Sequence, residues 1–547
     1  MTQADGHAPL RGVFDAIAVP SDNCRTYRID RNVDACASRW KTLAESDRSF
    51  DAAYFIWEKD IFGFAFLGHL LKKARDGLAV RGMFDGFGDL LGKHGFKASG
   101  RGQDYLQELV SVDPARVRFG VFYPMYKKRP TSLQRLLVSN HDKLAIADGR
   151  VVETGGRNMS RHYFSDPRDL KRVFRDTDLH IESETIAASA TQAFDAEFDE
   201  SFVQFIKPDR FGNWVKRDLV LLAVYLMMDR WLAASPMSDA DKAGLRDNAA
   251  AITTRAAEVV ADALAHLPGV GIDRKAVAWE LKLLHKLGTE LVSNLELRGA
   301  AAFQPQWFEG DVKIVDSVSA FSGGQRMINV ALGALIGGAQ RSIYIHNPYV
   351  VLTDDAVDAL ASAGKRGVEI VFGTNSPQSS DSPLTQAFFL DDWPSILARV
   401  PNARFLAATG DERHHSKTFV VDGVLTGIST FNADWLSEQV NSEVVTLQWS
   451  EAFAADTVAS YEQGMGDARH GFVEYKIERV DDGRAATRQG QPVVTFGPEH
   501  HVPAELLGTK FTLLRKGLRV ARRHLSALEP LRHRALDPNL DPICAVD

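Results

Sequence analysis

Between residues 52 and 85 the chain reads as a strand-like apolar run, AAYFIWEKD, a helical stretch, FGFAFLGHLLKKARDG, and a second strand-like run, LAVRGMFD. The same succession returns between 342 and 376 as SIYIHNPYV, DDAVDALASAGKRG and VEIVFGTNS. Strand, crossover helix, strand is the order of a parallel βαβ unit, because parallel neighbours need a long connection. A further strand-like run follows each unit, RVRFGVFYP and ARFLAAT. The pattern therefore predicts an α/β architecture built twice.

Each copy then runs into a polar motif. In NHDKLAIADGRVVETGGRN, from Asn140, the residues His141, Lys143, Asp148, Gly149 and Asn158 stand at the same spacing as His415, Lys417, Asp422, Gly423 and Asn432 in HSKTFVVDGVLTGISTFN. The four residues between Lys and Asp, LAIA and TFVV, are largely apolar and read as a buried strand. The His and Lys, two apart, share one face at its start. The glycine after Asp suits a tight turn.

The repeat divides the chain into a first α/β half over 1–215, a helix-rich insertion over 216–300, a second half over 301–500 and a tail over 501–547. The insertion holds the longest apolar run, LVLLAVYLMM from Leu219, which is too short to span a bilayer core of about 30 Å and reads as a buried helix. In the tail, Phe511, Leu514, Leu518, Ala521, Leu525 and Leu528 fall at steps of three and four, one apolar stripe on a basic helix that Pro530 ends. Such helices bind anionic membrane surfaces, or else the leucine stripe docks on the catalytic core and the basic face is merely solvated.

Composition changes this picture little. The chain is 547 residues long, 45% hydrophobic and 25% charged, as soluble globular proteins are. A net charge of −7 disfavours a nucleic-acid partner, whose phosphates call for Lys and Arg. Cys24, Cys36 and Cys544 fit neither a zinc site nor a disulfide framework, and the N-terminus carries no apolar signal segment. A cytoplasmic protein in peripheral contact with the inner membrane is expected.

The motif residues suit phosphoryl chemistry. One imidazole can attack phosphorus and form a phosphohistidine. The other can protonate the leaving oxygen and then act as base for the acceptor. Lys143, Lys417, Asn158 and Asn432 can hold the non-bridging oxygens. With so many nitrogen donors no metal and no cofactor is expected. A histidine also needs a carboxylate to fix its tautomer. Asn441-x-Glu443 has the pattern of Asp176-x-Asp178, so Glu443 is assigned to His415 and Asp178 to His141, with Asp176 a close second.

The duplicated motif resembles that of the phospholipase D superfamily. Within it the chain looks most like bacterial cardiolipin synthases of the C-type branch, on GGRN (Gly155–Asn158), RDTDL (Arg175–Leu179), NPY (Asn347–Tyr349), GTNS (Gly373–Ser376) and the Asn441-x-Glu443 pair. The resemblance implies two pseudo-symmetric α/β halves packed face to face around one active site, with the insertion between them. It implies His141, Lys143, Asp148, Asn158, His415, Lys417, Asp422, Asn432, Glu443 and Asp178 as catalytic residues, with Gly155, Gly156, Arg157, Ser429 and Thr430 binding substrate. His141 is the implied nucleophile. One departure stands out: Ser429 and Thr430 occupy positions where the family's second motif has Gly and Ser, and serine tolerates positive φ less well than glycine.

The implied activity is phosphatidyl transfer to make cardiolipin, with phosphatidylglycerol as one substrate and phosphatidylethanolamine as a candidate second. A hydrolytic phospholipase D, a nuclease of the same family and a non-catalytic lipid-binding module are the alternatives.

Overall fold

The computed structural model describes residues 7–91, 104–124, 137–208, 217–267, 280–319, 326–410, 412–466, 471–481, 483–508 and 511–517. The chain forms two compact units, Cys24–Trp307, and Met1–Asn23 with Phe308–Asp547.

In the unit Cys24–Trp307 the strands lie in the order Ser21–Ile29, Asp178–Glu182, Val151–Gly155, Lys143–Ala147, Ser49–Tyr54, Ala79–Asp85, Val117–Phe122, Val203–Phe205. Ser49–Tyr54, Ala79–Asp85 and Val117–Phe122 are parallel, and every other pairing is antiparallel. The other unit repeats the order with Phe308–Ser317, Glu443–Trp449, Leu425–Ser429, Thr418–Val421, Ser342–His346, Glu369–Thr374, Ala403–Ala408 and Phe472–Ile477, and adds Val494–Phe496. Here too the three strands Ser342–His346, Glu369–Thr374 and Ala403–Ala408 are parallel. The α/β duplication read from the hydrophobic pattern is thus a strand-by-strand repeat.

The crossover helices start where a side chain can satisfy their first amides. Asp60 accepts from the backbone N–H of Phe62 and Gly63 to open Ile61–Arg75, and Thr353 accepts from Ala356 to open Asp354–Lys365. The insertion contributes helices Arg217–Ala233, Asp239–Arg246, Ala249–Ala265 and Leu281–Val292. Its apolar run is buried, with Val220, Leu221, Val224, Met227 and Met228 in one core with the first half's crossover helix. Gly68 permits that contact: a Cβ there would stand 2.1 Å from the Leu221 carbonyl oxygen. Among the described residues no helix is long and apolar enough to cross a membrane.

One segment packs differently from the division read in the sequence, and the tail takes the docked course expected as one of its two readings. Residues 7–23 join the second half, not the first. Helix Ala8–Ala16 presents Leu10 and Phe14, one turn apart, and both are fully buried in the second half's core. The Lys313 ammonium donates to the Ile17 carbonyl at 2.7 Å, closing that end. The tail begins as a helical turn at 511–517 that docks on the same unit. Phe511 packs against its core, and Arg515 donates to Asp391 at 2.8 Å and to the Leu390 carbonyl at 3.2 Å. The rest of the amphipathic stripe, from Leu518 on, lies outside the described residues.

Candidate active site

In both halves the motif histidine stands just before the strand that pairs with the first parallel strand. Lys143 and Lys417 are buried, and each ammonium donates to the carbonyl of its own half's histidine, at 2.6 Å to His141 and 2.5 Å to His415. Lys417 also lies 2.7 Å from Nδ1 and 3.1 Å from Nε2 of His415. An aromatic edge borders each imidazole, Phe55 at 4.8 Å from His141 and Tyr349 at 6.3 Å from His415, ring centre to ring centre. The Lys143 ammonium sits 5.4 Å over the Phe55 ring.

The ladder register shows which residues correspond. Leu144 faces Ala53, which faces Met83; Thr418 faces His346, which faces Gly373. Asp85 and Asn375, two residues further along, are therefore counterparts, and they do the same thing. Asp85 accepts from the backbone N–H of Asn140 at 2.9 Å, and Asn375 accepts from that of His414 at 3.0 Å. Each holds the peptide just before the motif histidine. Sequence reasoning gave neither a role, although Asp85 ends the second strand of its βαβ repeat and Asn375 directly follows it in the other.

The register also settles the carboxylate pair. Gly155 faces Asp178, and its counterpart Ser429 faces Val445. Two residues before these stand Asp176, just ahead of its strand, and Glu443, the first residue of its own. The counterpart of Glu443 is Asp176, so the assignment of Asp178 to His141 is corrected. Asp178 is fully buried and tied elsewhere: Arg39 pairs with it at 2.9 Å and Arg157 donates to it at 3.0 Å. Glu443, also fully buried, accepts from the Thr430 hydroxyl at 2.5 Å.

Several residues expected to act on substrate are committed to the scaffold. Asp148 accepts from the backbone N–H groups of Asp47, Arg48 and Ser49 at 3.0, 2.7 and 3.0 Å. Asp422 accepts from those of Gln340, Arg341 and Ser342 at 2.9, 2.7 and 3.0 Å. Both sit at the far end of the motif strand with φ of 54° and 53°. Burial opposes ionisation of Asp148, yet the three amides outweigh it and hold its carboxyl below the usual range. These aspartates close a turn at the end of the motif strand away from the histidines. Arg157 is likewise no substrate ligand: it donates to the carbonyls of Ile29, Asp30 and Asp176 and to Asn32 and Asp178. Gly155 and Gly156 let carboxylates come close, since a Cβ would meet Asp178 at 2.3 Å and Asp176 at 2.1 Å. Ser429 donates to the Lys417 carbonyl at 2.9 Å, and Thr430 is spent on Glu443. Ser429 avoids positive φ, so the strain expected from the Gly-to-Ser departure does not arise.

The two asparagines keep their place. Asn158 accepts from the backbone N–H of Ile56 at 3.1 Å and donates to the Tyr163 hydroxyl at 3.1 Å. The side-chain oxygen of Asn432 is buried without a hydrogen-bond partner, a costly state that a ligand donor would relieve. Two residues on, Asp434 caps the helix Trp435–Gln439. Burial, with the charge of Glu443, pushes its carboxyl up to about 6, against the opposing pull of the Ser437 amide and Lys417. Its counterpart Ser160 caps the short helix Arg161–Phe164.

Residues 332–464 match the family model described as cardiolipin synthase, phospholipase D-like domain. Cardiolipin synthase 1 of Bacillus cereus is 21% identical over 447 residues, covering 81% of this chain and 67% of that one. The chain is thus similar to cardiolipin synthases and, through them, to the phospholipase D superfamily. Cardiolipin synthase C of Escherichia coli is 28% identical over 147 residues, 26% of this chain and 28% of its own length. Among solved structures, the phosphatidylserine synthase of Haemophilus influenzae superposes with a TM-score of 0.56 at 12% identity, over 95% of this chain and 99% of that one. The phospholipase D fold thus covers nearly the whole chain.

Proposed function

We propose that the protein is a phosphatidyltransferase that makes cardiolipin from phosphatidylglycerol through a phosphohistidine. The observation that carries this reading is the duplicated arrangement itself. In each half a histidine is pinned by a buried lysine, by a peptide clamp at Asp85 or Asn375, and is followed by a buried asparagine.

The chemistry balances with one imidazole from each half. An imidazole nitrogen of His141 attacks phosphorus and forms the N–P bond. The P–O bond to the departing glycerol breaks as His415 gives that oxygen a proton. A hydroxyl of the second lipid then gives its proton to His415 and attacks phosphorus, and the N–P bond breaks. Lys143, Lys417, Asn158 and Asn432 hold the phosphoryl oxygens, and Asp176 and Glu443 orient the imidazoles. A second phosphatidylglycerol is the acceptor, with phosphatidylethanolamine as the alternative donor. The C-type branch is the finer assignment, and it rests on the GGRN, RDTDL, NPY and GTNS stretches.

Such an enzyme works at a membrane surface, and the reading places it peripherally on the cytoplasmic face of the inner membrane. The basic tail beyond residue 517 is the proposed contact. Labelled phosphatidylglycerol vesicles test the function directly. Cardiolipin and free glycerol are the expected products; phosphatidic acid alone makes the protein a hydrolase, and intact lipid overturns the reading.

A further inference from the structure

The segment that follows the motif differs between the halves. From Asn432 to Glu443 is eleven residues, whereas from Asn158 to its counterpart Asp176 is eighteen. The short connector is held by its own half, through Asn329 donating to the Glu438 carbonyl at 2.9 Å and Thr353 donating to the Glu438 side chain at 3.1 Å. The long one is held by the helical insertion, which the second half lacks.

The grip is an ion cluster around two carboxylates. Asp169, in the added stretch, has a side chain only 1% exposed; it pairs with Arg246 of the insertion at 2.7 Å and accepts the backbone N–H of Glu296 at 2.8 Å. Glu296 in turn pairs with Lys242 and Arg246, both at 2.8 Å, and with Arg168 of the connector at 3.1 Å. A second grip lies at the connector's start. Glu290 of the insertion accepts from the Ile61 amide at 3.0 Å, where Asp60 accepts from the Arg161 amide at 2.5 Å.

From there the connector reaches the site by direct contacts. Tyr163 stacks on Phe174 at 4.5 Å, and its hydroxyl accepts from the Asn158 side chain. Asn32 donates to the carbonyls of Ser165 and Phe174 at 2.9 and 3.0 Å, drawing the connector's two arms together.

We propose that the insertion is a positioning element for the first half's site, with Asp169 and Glu296 as positioning residues that hold the connector and so fix Asn158 and Asp176 at its ends. This rests on the phosphatidyltransferase reading only for its effect on turnover; the effect on the connector's order is independent of it. The length difference has a ready account: the residues added between Asn158 and Asp176 include those the insertion holds.

The test uses the full-length protein, with Glu296→Gln and Asp169→Asn compared with Asp51→Asn. Asp51 pairs with Arg81 at 2.6 Å in the same unit but does not touch the connector. On phosphatidylglycerol vesicles the two cluster variants should lose about fivefold or more in kcat with KM within twofold, since positioning of reacting groups is felt in the transition state. Hydrogen exchange across 158–176 should rise in both. The Asp51 variant should lower the melting temperature while kcat and exchange at 158–176 hold. Cluster variants that melt lower but keep kcat would overturn the proposal. If the wild type turns over no lipid, the functional reading falls, and exchange decides the positioning: raised exchange at Asn158 and Asp176 sustains it, unchanged exchange ends it.

Discussion

In the first half the residue across the ladder from the motif's +14 position is a carboxylate, Asp178, on which Arg39 and Arg157 converge. In the second half the residue across from that position is Val445. The first half therefore has a glycine at 155, because only glycine leaves room for Asp178, and the second accepts Ser429 without strain. The same strand order and the same histidine clamp are thus built on two different supports, one ionic and one apolar. A departure from a family pattern at one motif position is explained by its neighbour across the sheet.

The largest effect should treat the halves alike. His141→Ala and His415→Ala should each lower turnover on phosphatidylglycerol by on the order of 10³-fold or more, because the proposed mechanism needs both imidazoles. A trapped phosphohistidine at residue 415 instead of 141 would reverse their roles. Retention of substantial activity by either variant would break the symmetry of the mechanism.

The next prediction separates the halves. Asp178→Ala leaves two buried guanidinium groups without their shared carboxylate, and removing one member of a buried pair costs about 3–5 kcal/mol. Gly155→Ser should cost a comparable amount by steric conflict with Asp178. Ser429→Gly, the mirror change, should stay within about 1 kcal/mol. Urea denaturation measures all three, and equal losses at 155 and 429 would refute the account of the departure.

The turn aspartates come third, and again the halves should agree. Asp148→Asn and Asp422→Asn each weaken three hydrogen bonds to part-buried backbone amides, which should lower stability by about 1 kcal/mol. Because these carboxylates sit at the far end of the motif strand, kcat of the folded variants should stay within a few-fold of wild type. A kcat collapse with unchanged stability would restore them to the catalytic set.

How much of this was legible follows from the kind of information each feature needs. The strand–helix–strand repeat and the spacing of His, Lys and Asn are local, and hydrophobic periodicity exposes them. The roles of Asp148 and Asp178 are not local. One stands in the motif and the other in the RDTDL stretch after it, both look like catalytic carboxylates, and only the folded chain shows that one faces three amides and the other two arginines. Asp85 and Asn375 were hidden for the opposite reason, since their partners lie 55 and 39 residues away. The packing of Leu10 and Phe14 into the second half's core needed knowledge of which apolar face that half leaves open.

The smallest prediction concerns Asp434, where the halves differ by one charge. The first half caps its short helix with the neutral Ser160, the second with a carboxyl pushed up to about 6 by burial and by Glu443. A folded-state value above the ordinary 3.8 means that the native protein binds more protons than the unfolded chain between about pH 4 and 6. Stability contributed at this position is therefore present at low pH and declines as pH rises through that window. Asp434→Ser installs the first half's cap and removes the titration. Relative to wild type, the variant should gain on the order of 1 kcal/mol between pH 4.5 and pH 7, a value below the full linkage limit because the side chain is only partly buried. Asp60, pushed up to about 7 by burial, titrates in both proteins and cancels in the comparison. Chemical denaturation of the two proteins at both pH values measures the difference. A stability gap that does not change with pH would show that Asp434 carries its charge throughout, and that the two caps differ in shape alone.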